Sequence, residues 1–445
     1  MTTEKQAACI EVAREIGARC ADPERLHKAI EAAKRQTGYP LSAHWNPMGV
    51  AQGDAGLAVM FGCLDSCFPG EGWDLKADMH IKVAARDAEG RPAFPTGLFD
   101  GLSGLAFAVW YNRHGGTRYQ KLIRTLDDAL VPRTLEAIKR LFQQTSLLPV
   151  GHWDLISGLS GVGAYLLLRR DNPEVCEALQ ALLACLVRLS EDHENLPRCY
   201  TPPKFIPDNA RARYPGGQLN FGLAHGIPGA LSLLSVAALS GVEVEEMKEA
   251  IERLANYLFR YRLEDEWGVN WPMGIPGRDA GSGSALISPS ELEGYSSLLE
   301  PCHAGWCYGS PGVARSIWHA GRALEKSFYK NLAIEAMKAV FKRPPEARFL
   351  VSPTFCHGFS GLLQITFRFF QETGDPSFAE AIDFLTNRIL SEYEPESILG
   401  CRAREPEGRK VDQPGLLDGA PGVALALLAA AGIADPSWDR LFLIC

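Results

Sequence analysis

The stretch Trp306-Cys307-Tyr308-Gly309-Ser310-Pro311-Gly312 decides how this chain is read, because its turn, Gly, any residue, a small residue or proline, then Gly, recurs six more times. The copies are Gly53-Asp54-Ala55-Gly56, Gly101-Leu102-Ser103-Gly104, Gly158-Leu159-Ser160-Gly161, Gly226-Ile227-Pro228-Gly229, Gly358-Phe359-Ser360-Gly361 and Gly419-Ala420-Pro421-Gly422. An apolar run follows each copy, as in Val313 to Trp318 or Leu362 to Phe370. The turn therefore reads as a helix start, where glycine permits tight backbone and Ser or Pro suits the cap or the first turn. Most repeats then carry a second helix, such as Val244 to Tyr261 or Phe378 to Tyr393, with apolar residues at three- and four-residue steps.

A unit that recurs every ~50 to 80 residues cannot bury its own apolar face, so neighbouring units must stack. Seven helical hairpins closing on themselves make an all-α fold, an α/α toroid, with the glycine-turn helices as its inner ring. An open solenoid is the alternative. Against it, the run Gly422 to Leu428 is apolar all round, as a helix buried between two layers should be.

The repeats run from Gly53 to Gly422 without a linker, so residues 47–445 read as one toroid domain. Residues 1–46 read as lead-in helices with a break at Gly38-Tyr39-Pro40, packed on the toroid's outside. The net charge of −8 and the lack of a basic stripe leave no electrostatic footprint for nucleic acid. Met1 to Cys20 mixes Glu4, Lys5, Glu11, Arg14 and Glu15 into a helical pattern without an apolar core, unlike a signal peptide. The longest apolar run, Gly422 to Ala434, is too short for a membrane span, which leads us to expect a cytoplasmic protein. In a reducing compartment most of the twelve cysteines should be buried thiols, with a minority free to bind metal.

Two stretches, 199–221 and 267–299, are rich in Gly, Pro and aromatics and read as long irregular loops, the second bordering the active-site mouth. Gly281-Ser282-Gly283-Ser284 reads as flexible loop, since no strand precedes it and no Lys-Ser/Thr follows.

Register carries the chemistry. Counted from the first glycine of each turn, Cys307 and Cys356 stand at minus two, and His225 and His357 at minus one. Equivalent positions of stacked repeats lie at the same end and point toward the same axis, so repeats four to six deliver two thiols and two imidazoles to one spot. Asp154 comes from repeat three, four residues ahead of Gly158. Taken singly, a Cys near a helix start is a small buried hydrophobe, and a His beside glycine is a satisfied turn residue. The shared register is what lifts these residues out. Asp100 and Asp418, also at minus one, read as turn or capping residues. Cys302-His303 is a second Cys-His pair close to Cys307 but outside the register, and His152 and His319 have no such support.

Two cysteines and a histidine suit zinc, and three protein ligands leave a fourth tetrahedral position open, the pattern of a catalytic site. Cys307, Cys356 and His357 are assigned as ligands, with one Zn2+ per chain. His225, whose repeat has no cysteine beside it, suits an acid/base role.

These residues resemble the LanC-type lanthionine synthetase cyclases. The likeness rests on Trp306-Cys307-Tyr308-Gly309-x-Pro311-Gly312, Cys356-His357-Gly358, Gly222-x-Ala224-His225-Gly226-x-Pro228-Gly229 and Asp154-x-x-x-Gly158-Leu159-Ser160-Gly161. It implies an α/α toroid with one zinc, held by Cys307, Cys356 and His357. It also implies an activity on a precursor peptide, in which a cysteine thiol adds to dehydroalanine or dehydrobutyrine to form a lanthionine or methyllanthionine ring. By matched position, His225, Asp154 and Tyr308 would line the reacting groups. The family often has arginine four residues before the first zinc cysteine, and this chain has His303 there, so the resemblance does not extend to that residue. With no kinase or dehydratase segment in view, the resemblance implies a stand-alone cyclase served by a separate dehydratase. An export transporter is a further expected partner, which would bring the cyclase to the membrane's periphery within a biosynthetic complex. Two other readings share these features: a zinc prenyltransferase-like toroid enzyme, which expects an Asp ligand and a second subunit, and a non-catalytic zinc protein that binds peptide or glutathione thiols.

Overall fold

Helix follows helix through the computed structural model, which describes residues 2–91, 94–144, 147–193, 196–278, 286–299 and 302–445. The Gly281 to Ser284 stretch lies outside the described residues. In chain order the first helices are α1 (Thr3–Ala21), α2 (Pro23–Gln36), α3 (Asp54–Cys67), α4 (Trp73–Glu89), α5 (Leu102–Tyr111) and α6 (Gln120–Gln143). Next come α7 (Leu159–Leu166), α8 (Pro173–Leu189), the single turn α9 (Asp208–Arg211), α10 (Ile227–Leu239), α11 (Met247–Arg260) and α12 (Ser310–Ala323). The last are α13 (Ser327–Lys342), the single turn α14 (Pro345–Arg348), α15 (Phe359–Thr373), α16 (Pro376–Leu390) and α17 (Ala420–Ala430).

The seven glycine turns start α3, α5, α7, α10, α12, α15 and α17, each with its first glycine as N-cap and without a side-chain cap. These helices are buried nearly all round, and every residue of α17 is buried. The helices between them are amphipathic. In α11 the buried residues are Met247, Ala250, Ile251, Leu254, Ala255 and Leu258, a single stripe at helical spacing. Some of these helices start on ordinary caps, such as Asn172 before α8 and Asp375 before α16, both followed by proline at the first helical position.

The Ser and Pro of the turns stand in the first helical turn, one of the two places expected, and not at the cap. Ser103, Ser160 and Ser360 sit inside their helices, and each hydroxyl donates over 2.6 Å to a carbonyl seven residues earlier, those of Thr96, Trp153 and Pro353. The serine thus ties down the preceding loop, while Pro228, Pro311 and Pro421 in the other turns occupy a position whose N–H has no helical acceptor. The glycines are needed because that loop folds back onto them. A Cβ on Gly226 would stand 2.3 Å from the Asn220 carbonyl oxygen, and one on Gly312 2.4 Å from that of Trp306. Only Gly309 among the first glycines also needs left-handed backbone, with φ at 103°.

The chain forms two compact units: Met1–Asp128 with Leu350–Leu441 and Cys445, and Ala129–Phe349 with Phe442–Ile444. In the first, α3 packs on α4 and α5, α15 on α16 and α17, and α17 on α3. Its amphipathic partner for α17 is α1, from the other end of the chain, whose Cys9, Ala13, Ile16 and Cys20 are buried. In the second, α7 packs on α8, α10 on α11 and α12, and α12 on α13.

Strands occur only as short antiparallel pairs among the described residues. They are β1 (Asp192–His193) with β2 (Leu196–Pro197), β3 (Gln218–Asn220) with β6 (Gly274–Pro276), β4 (Leu263–Asp265) with β5 (Gly268–Asn270), and β7 (Ala403–Arg404) with β8 (Lys410–Val411). The pair β3 with β6, and the strand β5, fall in the stretches read as loops. Leu219, Phe221, Trp271 and Ile275 are wholly buried there, because β3 and β6 satisfy each other's backbone and free their side chains to pack.

Candidate functional site

The minus-two positions, with the minus-three residue Leu155 in the third turn, are bound to one another through the backbone within each unit. In the second unit the Ala224 N–H donates to the Cys307 carbonyl at 3.2 Å, and the Leu155 N–H to the Ala224 carbonyl at 3.1 Å. In the first unit the Cys356 N–H donates to Leu417, the Leu417 N–H to Ala51, and the Ala51 N–H to Phe99. Within each unit the turns are thereby held in register with their neighbours, the physical basis for equivalent positions sharing one end of their unit.

In the second unit Asp154 and His225 form a tight pair. One Asp154 oxygen accepts the N–H groups of Ser157 and Gly158 at 2.8 and 2.9 Å, which fixes the carboxylate. The other lies 2.6 Å from His225 Nδ1. The Asp154 side chain is 2% exposed and that of His225 40%, so the carboxylate is sealed and the imidazole is accessible. Burial pulls the His225 pKa down, but the hydrogen bond and charge of Asp154, with a contribution from Cys307, leave it raised above 6.5. With Nδ1 held by Asp154, Nε2 is the nitrogen available for exchange.

Tyr308 lies beside His225, their ring centroids 6.4 Å apart. Its hydroxyl accepts a 3.0 Å hydrogen bond from Asn220 Nδ2, and burial pushes its pKa up, so it is a neutral O–H. Asn220 also accepts the Gly222 N–H at 2.8 Å. Asn220 is a site residue that the register argument missed. Its signal was weak: one polar residue, 3% exposed, between the buried Leu219 and Phe221.

Cys307 is 7% exposed and is joined by His303, whose Nε2 stands 3.5 Å from the Cys307 sulfur while its Nδ1 stands 3.8 Å from that of Cys302. The out-of-register pair thus borders the first cysteine. In the first unit, Cys356 is half-buried, and His357 Nδ1 lies 3.7 Å from an oxygen of Asp418. Asp418 therefore faces a histidine, beyond the turn role expected for it. Cys307 in the second unit, and Cys356 and His357 in the first, each offer a thiol or imidazole donor of the kind that holds a metal ion. Burial pushes the thiols of Cys20, Cys199 and Cys401 up to about 12, which keeps them neutral.

Residues 44–443 match the model of the family described as lanthionine synthetase C-like protein. The chain is 24% identical over 356 residues to the nisin biosynthesis protein NisC of Lactococcus lactis subsp. lactis, covering 79% of this chain and 81% of that one. It also superposes on the solved structure of nisin cyclase with a TM-score of 0.76 and 21% identity, over 95% of this chain and 97% of that one. That likeness gives the fold class, an all-α α/α toroid, as the repeat pattern implies. On the family match, which spans nearly all of its length, the chain belongs to the lanthionine synthetase C-like family.

Proposed function

We propose that this chain is a cyclase that joins cysteine thiols of a precursor peptide to dehydroalanine or dehydrobutyrine in the same peptide, giving lanthionine and methyllanthionine rings. The observation that carries the reading is the shared turn register of Cys307, Cys356, His357 and the accessible His225 in a member of this family. Two thiolates and one imidazole fit zinc and leave a position for one more ligand. A zinc ion held by these three residues supplies Lewis acidity that lowers the pKa of an incoming thiol.

The protein's own groups then handle protons. Thiolate addition to the β-carbon moves an electron pair toward the adjacent carbonyl, and the α-carbon must gain a proton. His225, whose protonated form Asp154 favours, donates it from Nε2, and Asp154 holds the ring in that orientation without leaving its two backbone N–H donors. The Tyr308 hydroxyl, oriented by Asn220, is a neutral donor for charge building on the carbonyl oxygen. A separate dehydratase supplies the double bonds, because nothing in this chemistry removes water from Ser or Thr. The reaction belongs in the cytoplasm, before any transporter exports the product. Among the described residues no helix is long and apolar enough to cross a membrane.

Addition of a thiol to a double bond leaves the mass unchanged and consumes one thiol. The purified chain, incubated with a dehydrated precursor peptide, should abolish one alkylatable thiol per ring at constant mass. Retention of every free thiol would favour a non-catalytic thiol-binding role.

A further inference from the structure

Trp306 stands immediately before Cys307, and 136 residues separate it from Phe442 in the chain. The two are nevertheless in direct contact within the second unit. The Trp306 indole N–H donates to the Phe442 carbonyl at 2.9 Å, and their rings meet edge to face with centroids 5.0 Å apart. Two residues further on, the Ile444 carbonyl accepts from Nε of Arg315 at 2.7 Å. Arg315 belongs to α12, the helix that starts at the Gly309 turn. Trp306, Arg315, Phe442, Leu443 and Ile444 are all wholly buried. Burying a guanidinium is costly unless its donors are used, and one of them fixes Ile444. Leu443, between the two acceptors, has left-handed backbone with φ at 49°, a conformation a leucine keeps only where its surroundings hold it. The segment Phe442–Ile444 thus grips the turn from both sides, at the residue before Cys307 and on the helix after it, while the Ala224 N–H holds the Cys307 carbonyl.

We propose that Phe442–Ile444 is a strap that positions Cys307 and Tyr308, anchored by Trp306 and Arg315. The anchors and the strap are sealed from solvent, so they act through the backbone that carries the two site residues and not by touching substrate. Only Cys307 and Tyr308 lie between Trp306 and Gly309, whose φ of 103° is itself fixed by the turn, so a shift at Trp306 passes directly to both. The effect of the strap on ring formation rests on the cyclase reading above. Its effect on Cys307 does not.

The test compares Trp306→Phe, which removes the indole donor, and Phe442→Leu, which removes the ring edge but keeps the backbone acceptor, with Leu179→Ala. Leu179 is wholly buried in α8, which packs on α7, α10 and α11 of the same unit, so its truncation controls for general destabilisation. In the full chain freed of metal by a chelator, N-ethylmaleimide alkylation of Cys307 is followed by mass spectrometry, under conditions where every chain stays folded by circular dichroism. Both strap variants should react about five- to tenfold faster than wild type, the scale for losing one hydrogen bond or aromatic contact from a local opening equilibrium. Leu179→Ala should differ by less than about twofold. An unchanged rate in either strap variant, or an equal rise in Leu179→Ala, would overturn the proposal, and either variant decides it if the other does not fold. With dehydrated precursor the strap variants should lower kcat at unchanged KM, and a raised KM at unchanged kcat would also overturn it. A wild-type chain that forms no rings would sink the cyclase reading alone, since the alkylation rates decide the strap without substrate.

Discussion

Asp154 and His225 divide the work of a proton-transfer pair through their surroundings. The carboxylate is sealed and spends one oxygen on two backbone N–H groups, while the imidazole it supports is 40% exposed. Asp54 and His80 show that the pairing alone is insufficient: their atoms lie 2.7 Å apart, but His80 is 2% exposed and stacked on Phe61, out of reach of any peptide. Because the folded pKa of His225 is raised, the pairing stabilises the fold fully below the ordinary value of 6.5, and that contribution is lost as pH rises through the folded value. Asp154→Asn removes the main support for the imidazolium, so the His225 midpoint should fall, as followed by NMR of the ring, and the pH range of cyclisation should shift down with it. An unmoved midpoint would deny Asp154 this role. His225→Asn should keep its zinc and cyclise roughly 10² to 10⁴ more slowly, the range for losing a positioned proton-transfer group. Zinc loss in that variant would instead mark His225 as a ligand or structural residue.

The glycine turn is the element that carries the site, and it works by close approach. In the turn that presents Cys356 and His357, a Cβ on Gly358 would lie 2.4 Å from the carbonyl oxygens of both Ser352 and Thr354. Gly358→Ala must therefore push the loop that contains Cys356, with an expected loss of about 1 to 3 kcal/mol by denaturant unfolding and weaker zinc retention. Gly90→Ala is the control, since its Cβ would meet nothing closer than 3.6 Å and its φ is −77°. Its stability should stay within about 0.5 kcal/mol of wild type. Equal effects in the two variants would show that the turn glycines do not hold the loops in place.

At the scale of the molecule, the register of the turns makes one prediction about metal. The purified chain should hold about one zinc, and Cys307→Ala or Cys356→Ala should lose most of it, because two remaining donors leave an incomplete site. Atomic emission is the measurement, and stoichiometric zinc in both variants would refute the ligand assignment. A second prediction concerns α1, whose Ile16 is wholly buried in the unit where α1 covers α17. Ile16→Ala should lower unfolding stability by about 2 to 5 kcal/mol, as for other large-to-small changes in a core. A loss below 0.5 kcal/mol would mean that α1 is a detachable lead-in.

The sequence by itself determined the repeat, the helical class and the shared positions of Cys307, Cys356, His357 and His225, because a turn motif and its offset are local properties that survive in one dimension. Tertiary structure alone decided the rest. That the glycines avoid a returning carbonyl, that serine hydroxyls reach back seven residues, and that α1 rather than a downstream helix partners α17 all depend on which distant backbone arrives beside them. The same holds for Asn220 and His303: neither stands in register, and only the packing of β3 against β6 and the fold of the loop before Gly309 bring them to Tyr308 and Cys307.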